Sequence, residues 1–119
     1  MKKKVFLSVL CVEPGSLFKE EQIIYRTTTE AFEARNLFIN RPPAEEKPSK
    51  NRWNISNRYG LAICQFVGIN SRDAVRWARF LSRKYDFNKP NEELMNDQEA
   101  RRVFNKFKKY LEGFNISVI

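Results

Sequence analysis

There is no histidine in this chain of 119 residues. That absence removes the commonest general base near neutral pH, the usual nitrogen ligand of zinc and any triad built on imidazole. Cysteine is scarce as well: Cys11 and Cys64 cannot complete a four-ligand Cys/His zinc site within one chain. The four glycines, Gly15, Gly60, Gly68 and Gly113, are too scattered for a phosphate-cradling loop. No apolar run approaches the ~20 residues that a membrane-spanning helix requires. These gaps point away from enzyme chemistry, and a non-catalytic protein with no cofactor and no metal site is expected.

The start, "MKKKVFLSVLC", has three lysines, a short apolar run and then a cysteine, which is the outline of a secretory leader. Leu10, however, is bulky where a cleavage site wants a small residue, and Ser8 interrupts the run. The expectation is instead a buried strand in a cytoplasmic protein whose two thiols stay reduced.

Phenylalanine is plentiful, and with 42% hydrophobic residues the chain can bury a core despite its 30% charge. At this length that core serves a single domain, residues 1–119. The 22 basic and 14 acidic residues leave a net charge of +8. The excess divides evenly between the halves on either side of Gly60, so it belongs to the folded body and not to a tail. Such a body attracts nucleic acid, an anionic membrane or an acidic protein, and charge alone does not choose among them.

Periodicity predicts strands over "KKVFLSVLCV", apolar on both faces like a central strand, and over "EQIIYRT", joined by the turn residues Glu13 to Ser16. A helix is predicted over 27–40, "TTTEAFEARNLFIN", with a threonine cap, early Glu30 and Glu33, and an apolar side of Ala31, Phe32, Ala34, Leu37 and Phe38. Residues 41–51, with three prolines and mixed charge, form an exposed loop. Glu45, Glu46 and Lys47 there echo the acid-x-lysine piece of some metal-dependent nucleases, but among prolines a solvated loop is the preferred reading. "RWNIS" and "GLAICQFVGI" read as a hairpin through "NRYG". Next come a helix capped by Ser71, a connector at "KPNEEL", a helix capped by Asn96 or Asp97 and stopped at Gly113, and a last strand, "FNISVI". The order ββαββααβ reduces to a split βαβ (ferredoxin-like) α+β fold: an antiparallel sheet of 4–5 strands with helices mainly on one face. That topology would make the first strand and the Leu61–Ile69 strand central neighbours, with Cys11 close to Cys64.

"SRDAVRWARFLSRKYDF" spaces Arg72, Arg76, Arg79 and Arg83 by four, three and four. At 100° per residue they share an arc of about 60°, opposite Ala74, Trp77, Ala78, Leu81 and Tyr85. Like charges at these spacings destabilise a helix by a few tenths of a kcal/mol per pair, and the guanidinium fork suits phosphate. The row is read as a polyanion-binding face, with a solvated face or internal ion pairs as the bland alternative. The following helix adds Arg101, Arg102, Lys106 and Lys109, and the two basic faces would merge if both helices share one side of the sheet. In "KNRWNISNRYG", Arg52 and Arg58 alternate with aromatics, as single-strand binders do. Sending Trp53 and Ile55 into the core is the preferred reading there, which leaves Tyr59 as the exposed ring. Phe80 and Phe114, at the margins of their apolar arcs, read as packing residues. The expected function is a small basic protein that binds the phosphate backbone of DNA or RNA. A small inhibitor or adaptor docked on a larger protein is the alternative. A metal-dependent enzyme using Glu20, Glu21, Glu45 or Glu46 ranks third.

Overall fold

The computed structural model describes residues 3–12, 24–42 and 51–119. Its first unit is a long antiparallel ribbon of β1 (Lys4–Val12) and β2 (Ile24–Ala34), in register from Lys4↔Phe32 to Val12↔Ile24. The β-branched Thr27, Thr28 and Thr29 sit in the middle of it, where such side chains are favoured. A two-residue turn, Arg35-Asn36, leads directly into β3 (Leu37–Asn40). The helix predicted over 27–40 is therefore a hairpin. Its supposed apolar side is split between two faces: Phe32, Ala34 and Leu37 point toward the helices, Ala31 and Phe38 away from them. The turn carried no glycine signal, because Arg35 itself takes the left-handed conformation at φ 61°.

β4 (Arg52–Ser56) and β5 (Ala62–Val67) form the expected hairpin. After α1 (Ser71–Lys84), α2 (Asn91–Met95) and α3 (Gln98–Glu112), the short β6 (Ser117–Val118) pairs with β5. Among the described residues the fold is α+β: six strands lie in sequence order, each antiparallel to its neighbour, with the three helices inserted between β5 and β6. A meander thus replaces the split βαβ arrangement of 4–5 strands. β1 lies at the sheet margin and is not a neighbour of β5, so Cys11 and Cys64, both unbonded and buried, fall in separate apolar clusters. Burial raises both thiol pKa values, which keeps them protonated. The turn at 13–16 and most of the Pro-rich loop lie outside the described residues.

The main core packs one sheet face, including Leu37, Ile39, Trp53, Ile55 and Phe66, against Ala74, Ala78 and Leu81 of α1 and Ala100, Phe107 and Leu111 of α3. Each large side chain buried completely there contributes roughly 1.5–3 kcal/mol. A smaller cluster, Leu7, Val9, Cys11 and Ala31, occupies the opposite face. Trp53 and Ile55 enter the core, as preferred on sequence grounds.

The β4–β5 turn folds back onto β1. Leu10 N–H donates to Gly60 O at 2.9 Å, and a Cβ on Gly60 (φ +76°) would lie 2.0 Å from Ser8 O. Only glycine fits there. Asn57, fully buried, ties this turn to the chain beyond α1. Its Nδ2 donates to Phe87 O (3.0 Å) and Lys89 O (2.9 Å), while its Oδ1 accepts from Tyr59 N and Leu61 N. Every polar atom of that amide is thus satisfied, as burial demands.

Both long helices begin on side-chain caps. Asn70 Oδ1 accepts from Asp73 N at 2.9 Å, so the cap is Asn70 and not the expected Ser71. Asp97 Oδ1 accepts from Ala100 N at 3.0 Å. The other carboxylate oxygen of Asp97 receives Lys89 Nζ at 2.8 Å and the Tyr85 hydroxyl, joining the end of α1 to the start of α3. These contacts, with Lys89 the largest, hold the Asp97 carboxyl well below the usual carboxylate range, and Asp97 raises Lys89 in turn. No helix among the described residues is long and apolar enough to cross a membrane.

Candidate functional site on the helical face

The apolar stripe of α1 (Ala74, Val75, Ala78, Leu81) fixes how the helix rotates on the sheet, and so which cations face out. Arg72, Arg76 and Arg83 are exposed and have no acidic partner among the described residues. Arg79 differs: it is half-buried and already in contact within the protein. On the helical wheel the row is flanked on one side by Phe80, Lys84 and Trp77, at about 80°, 120° and 140° from Arg72.

α3 divides its cations between two flanks. Arg102, Lys106 and Lys109 lie within about 60° of one another, on the side that carries Tyr110. Arg101 falls on the other flank, where Nη2 donates to Met95 O at 3.3 Å and the side chain borders a hollow with Phe104 and Leu94. Arg102 is held by Glu99, with Nε donating to Oε2 at 3.0 Å and Nη2 to Oε1. That pairing pulls the Glu99 carboxyl below its ordinary range.

Between the two basic flanks runs an aromatic seam. Trp77 and Phe80 of α1 meet Tyr110 of α3 and Phe114 just beyond it. Phe80 and Tyr110 stack at 5.7 Å with 12° between their planes, and Trp77 contacts Phe80, Tyr110 and Phe114 at 5.4–5.9 Å. Tyr110 is 51% exposed and Phe114 54%. Lys84 Nζ lies 4.8 Å from the Phe80 ring centre, a cation–π distance. Two depressions open along the seam and share Tyr110. One, about 510 Å³, is lined by Phe80, Lys84, Arg102, Val103, Lys106, Phe107 and Tyr110, with no acid among them. The other, about 420 Å³, is bordered by Arg76, Trp77, Phe114, Ile116 and Asp73.

The remaining sequence candidates lie apart. Arg52 and Arg58 flank β4 at its two ends, with Arg52 already in contact within the protein. Arg58 lies over Tyr59, 5.4 Å from the ring centre, on the turn that faces β1. The carboxylates considered for metal chemistry, Glu20, Glu21, Glu45 and Glu46, lie outside the described residues. Among the described residues no three His, Cys, Asp or Glu side chains gather to hold a metal ion. On the sheet face away from the helices, Ser56 donates to Asn40 Oδ1 (2.7 Å) and Gln65 to Asn54 Oδ1 (3.1 Å), so these amides are satisfied internally.

Sequence reasoning located the cations and missed the seam. Its trace is there: Trp77 and Phe80 are three apart, Tyr110 and Phe114 four apart, each pair at the edge of an apolar arc. Only the packing of α1 beside α3 turns two margins into one surface. No family model, curated protein or solved structure matches this chain.

Proposed function

We propose that this protein binds nucleic acid without catalysis, and that its contact surface is the outer side of α1 and α3. One observation carries the reading. Six exposed cations (Arg72, Arg76, Arg83, Lys84, Lys106 and Lys109) form no salt bridge among the described residues, and of them Arg76, Lys84 and Lys106 line the depressions beside the seam rings. A face kept only for solubility is expected to intersperse acids with its cations. Phosphate contacts from such a face position a nucleic acid without reading its sequence. The test is fluorescence anisotropy with labelled DNA and RNA at ~50 mM salt, where cation–phosphate contacts are strong. Binding by the wild type that is lost in Arg76→Glu/Arg83→Glu supports the reading. Failure to bind any DNA or RNA ends it.

Docking on a larger protein is the second reading, and a different surface favours it. Phe6 and Ile24, 74% and 61% exposed, lie on one face of the β1–β2 ribbon and have no part in the first reading. Ile24 pairs with Val12, six residues along β1 from Phe6, so the two mark separate points on that face and Phe6 is the contact tested. Capture of a protein partner from nuclease-treated lysate, lost in Phe6→Ser, distinguishes this reading from a nucleic-acid tether.

A further inference from the structure

From the seam between α1 and α3 we infer the class of ligand: single-stranded nucleic acid, with unpaired bases against Phe80 and Tyr110 and the backbone along Lys84 and Lys106. This inference rests on the nucleic-acid reading above and narrows it. In a duplex the base faces are stacked against each other, so protein rings cannot reach them without unstacking. In a single strand every base offers a face, and aromatic platforms beside a cationic groove are the general device for holding it.

The seam has the parts that device needs. The 510 Å³ depression has a floor of stacked rings and apolar side chains, with a cation on each wall, Lys84 from α1 and Lys106 from α3, while Arg102 beside them is held by Glu99. Tyr110, half exposed, lines this depression and the next, where Trp77 and Phe114 supply rings and Arg76 the cation. Two adjacent units of ring plus cation thus share one side chain. A nucleotide chain repeats in the same way, one base and one phosphate at a time. Asp73 borders the second depression and opposes an anion there, so the first is the primary site. Charge complementarity selects the occupant: a depression with no acid in its own lining, floored beside the exposed Tyr110 ring, suits a polyanion whose repeating unit is flat and aromatic. Duplex DNA has the charge without accessible base faces, and an acidic peptide has no repeating base.

The experiment compares a labelled single strand of about 15 nucleotides, near the upper site size of one small binding domain, with a duplex of equal length. Each is titrated against wild type, Tyr110→Ala, Tyr110→Phe and Arg76→Glu at ~50 mM salt. A base stacked on an aromatic ring is worth about 5- to 150-fold in affinity. The expected result is tighter binding of the single strand than of the duplex. Loss of the Tyr110 ring should weaken the single strand by about 5-fold or more and leave any duplex binding unchanged. Tyr110→Phe should restore wild-type affinity. Because the Tyr110 side chain is half exposed, Phe107 and Leu111 still hold α3 in its place, and circular dichroism confirms the fold of each variant. Equal or tighter duplex binding, or an unaffected Tyr110→Ala, overturns this inference while leaving the broader reading intact. Absence of binding to either nucleic acid overturns both and leaves the protein-docking alternative.

Discussion

The salt dependence of binding can be worked out from the placement of the cations. Of the eight basic residues that the sequence nominates on α1 and α3, three are spoken for or turned away. Arg79 is already in contact, Arg102 is clasped by Glu99, and Arg101 sits on the far flank of α3. The five others, Arg72, Arg76, Arg83, Lys106 and Lys109, are exposed, and Lys84 joins them beside Phe80. Each phosphate neutralised releases condensed counterions, so log Kobs falls against log[salt] with a slope of about −0.7 per contact for a single strand. Six contacts set a limiting slope of about −4, a loss of roughly 300-fold in affinity between 50 and 200 mM salt. Anisotropy titrations at five or six salt concentrations measure the slope directly. Substituting Arg76, Arg83 or Lys106 by glutamine should each flatten it by about 0.7, whereas Arg101→Gln should leave it unchanged. A wild-type slope shallower than about −2, or an Arg101→Gln effect equal to that of Arg76→Gln, would refute the assignment of the face.

Two further outcomes test the fold that presents this surface. Gly60 and Gly68 both have positive φ, but a Cβ on Gly60 would lie 2.0 Å from Ser8 O, whereas one on Gly68 meets nothing within 4 Å. Gly68→Ala should therefore cost only the left-handed strain of about 1–2 kcal/mol. Gly60→Ala should cost at least ~1–3 kcal/mol more, because β1 must withdraw and the Leu10–Gly60 bond is lost. Equal urea midpoints for the two variants would count against the closure of the turn on β1. The Asp97 carboxyl is depressed in the folded protein, so its stabilisation is complete above the unfolded carboxylate range, near pH 4. It is lost as pH falls through the lower folded value. Asp97→Asn keeps a capping oxygen and removes the charge, so its stability deficit should hold steady from pH 5 to 8 and shrink below pH 4. A deficit that does not change with pH would show that the Lys89 pairing adds nothing to stability.

How much was legible in the sequence depended on whether the deciding interaction was local. α1 and α3 were readable because their apolar stripes, caps and termini lie within a few residues of one another. The β4–β5 hairpin was readable from alternation around "NRYG". Residues 27–40 misled because Glu30, Ala31, Phe32 and Ala34 satisfy a helical pattern as well as a strand pattern. The choice was made by pairing with β1, some 20 residues earlier in the chain. Local preferences of a few tenths of a kcal/mol per residue yield to a nine-residue ladder and the burial it permits.

The candidate site divides along the same line. Composition by itself determined that this is a basic body without imidazole chemistry, and helical spacing determined that Arg72, Arg76 and Arg83 share a face. The Glu99–Arg102 pair is equally local, three residues apart on α3, whereas the rotation that turns Arg101 to the far flank, onto Met95 O, was decided by how α3 packs. Tertiary packing also decided that Trp77 and Phe80 of α1, Tyr110 of α3 and Phe114 just beyond it converge on one seam. Spacing along a helix is set by the backbone and can be counted. Contact between helices depends on how both settle on a sheet whose strand order no local pattern encodes.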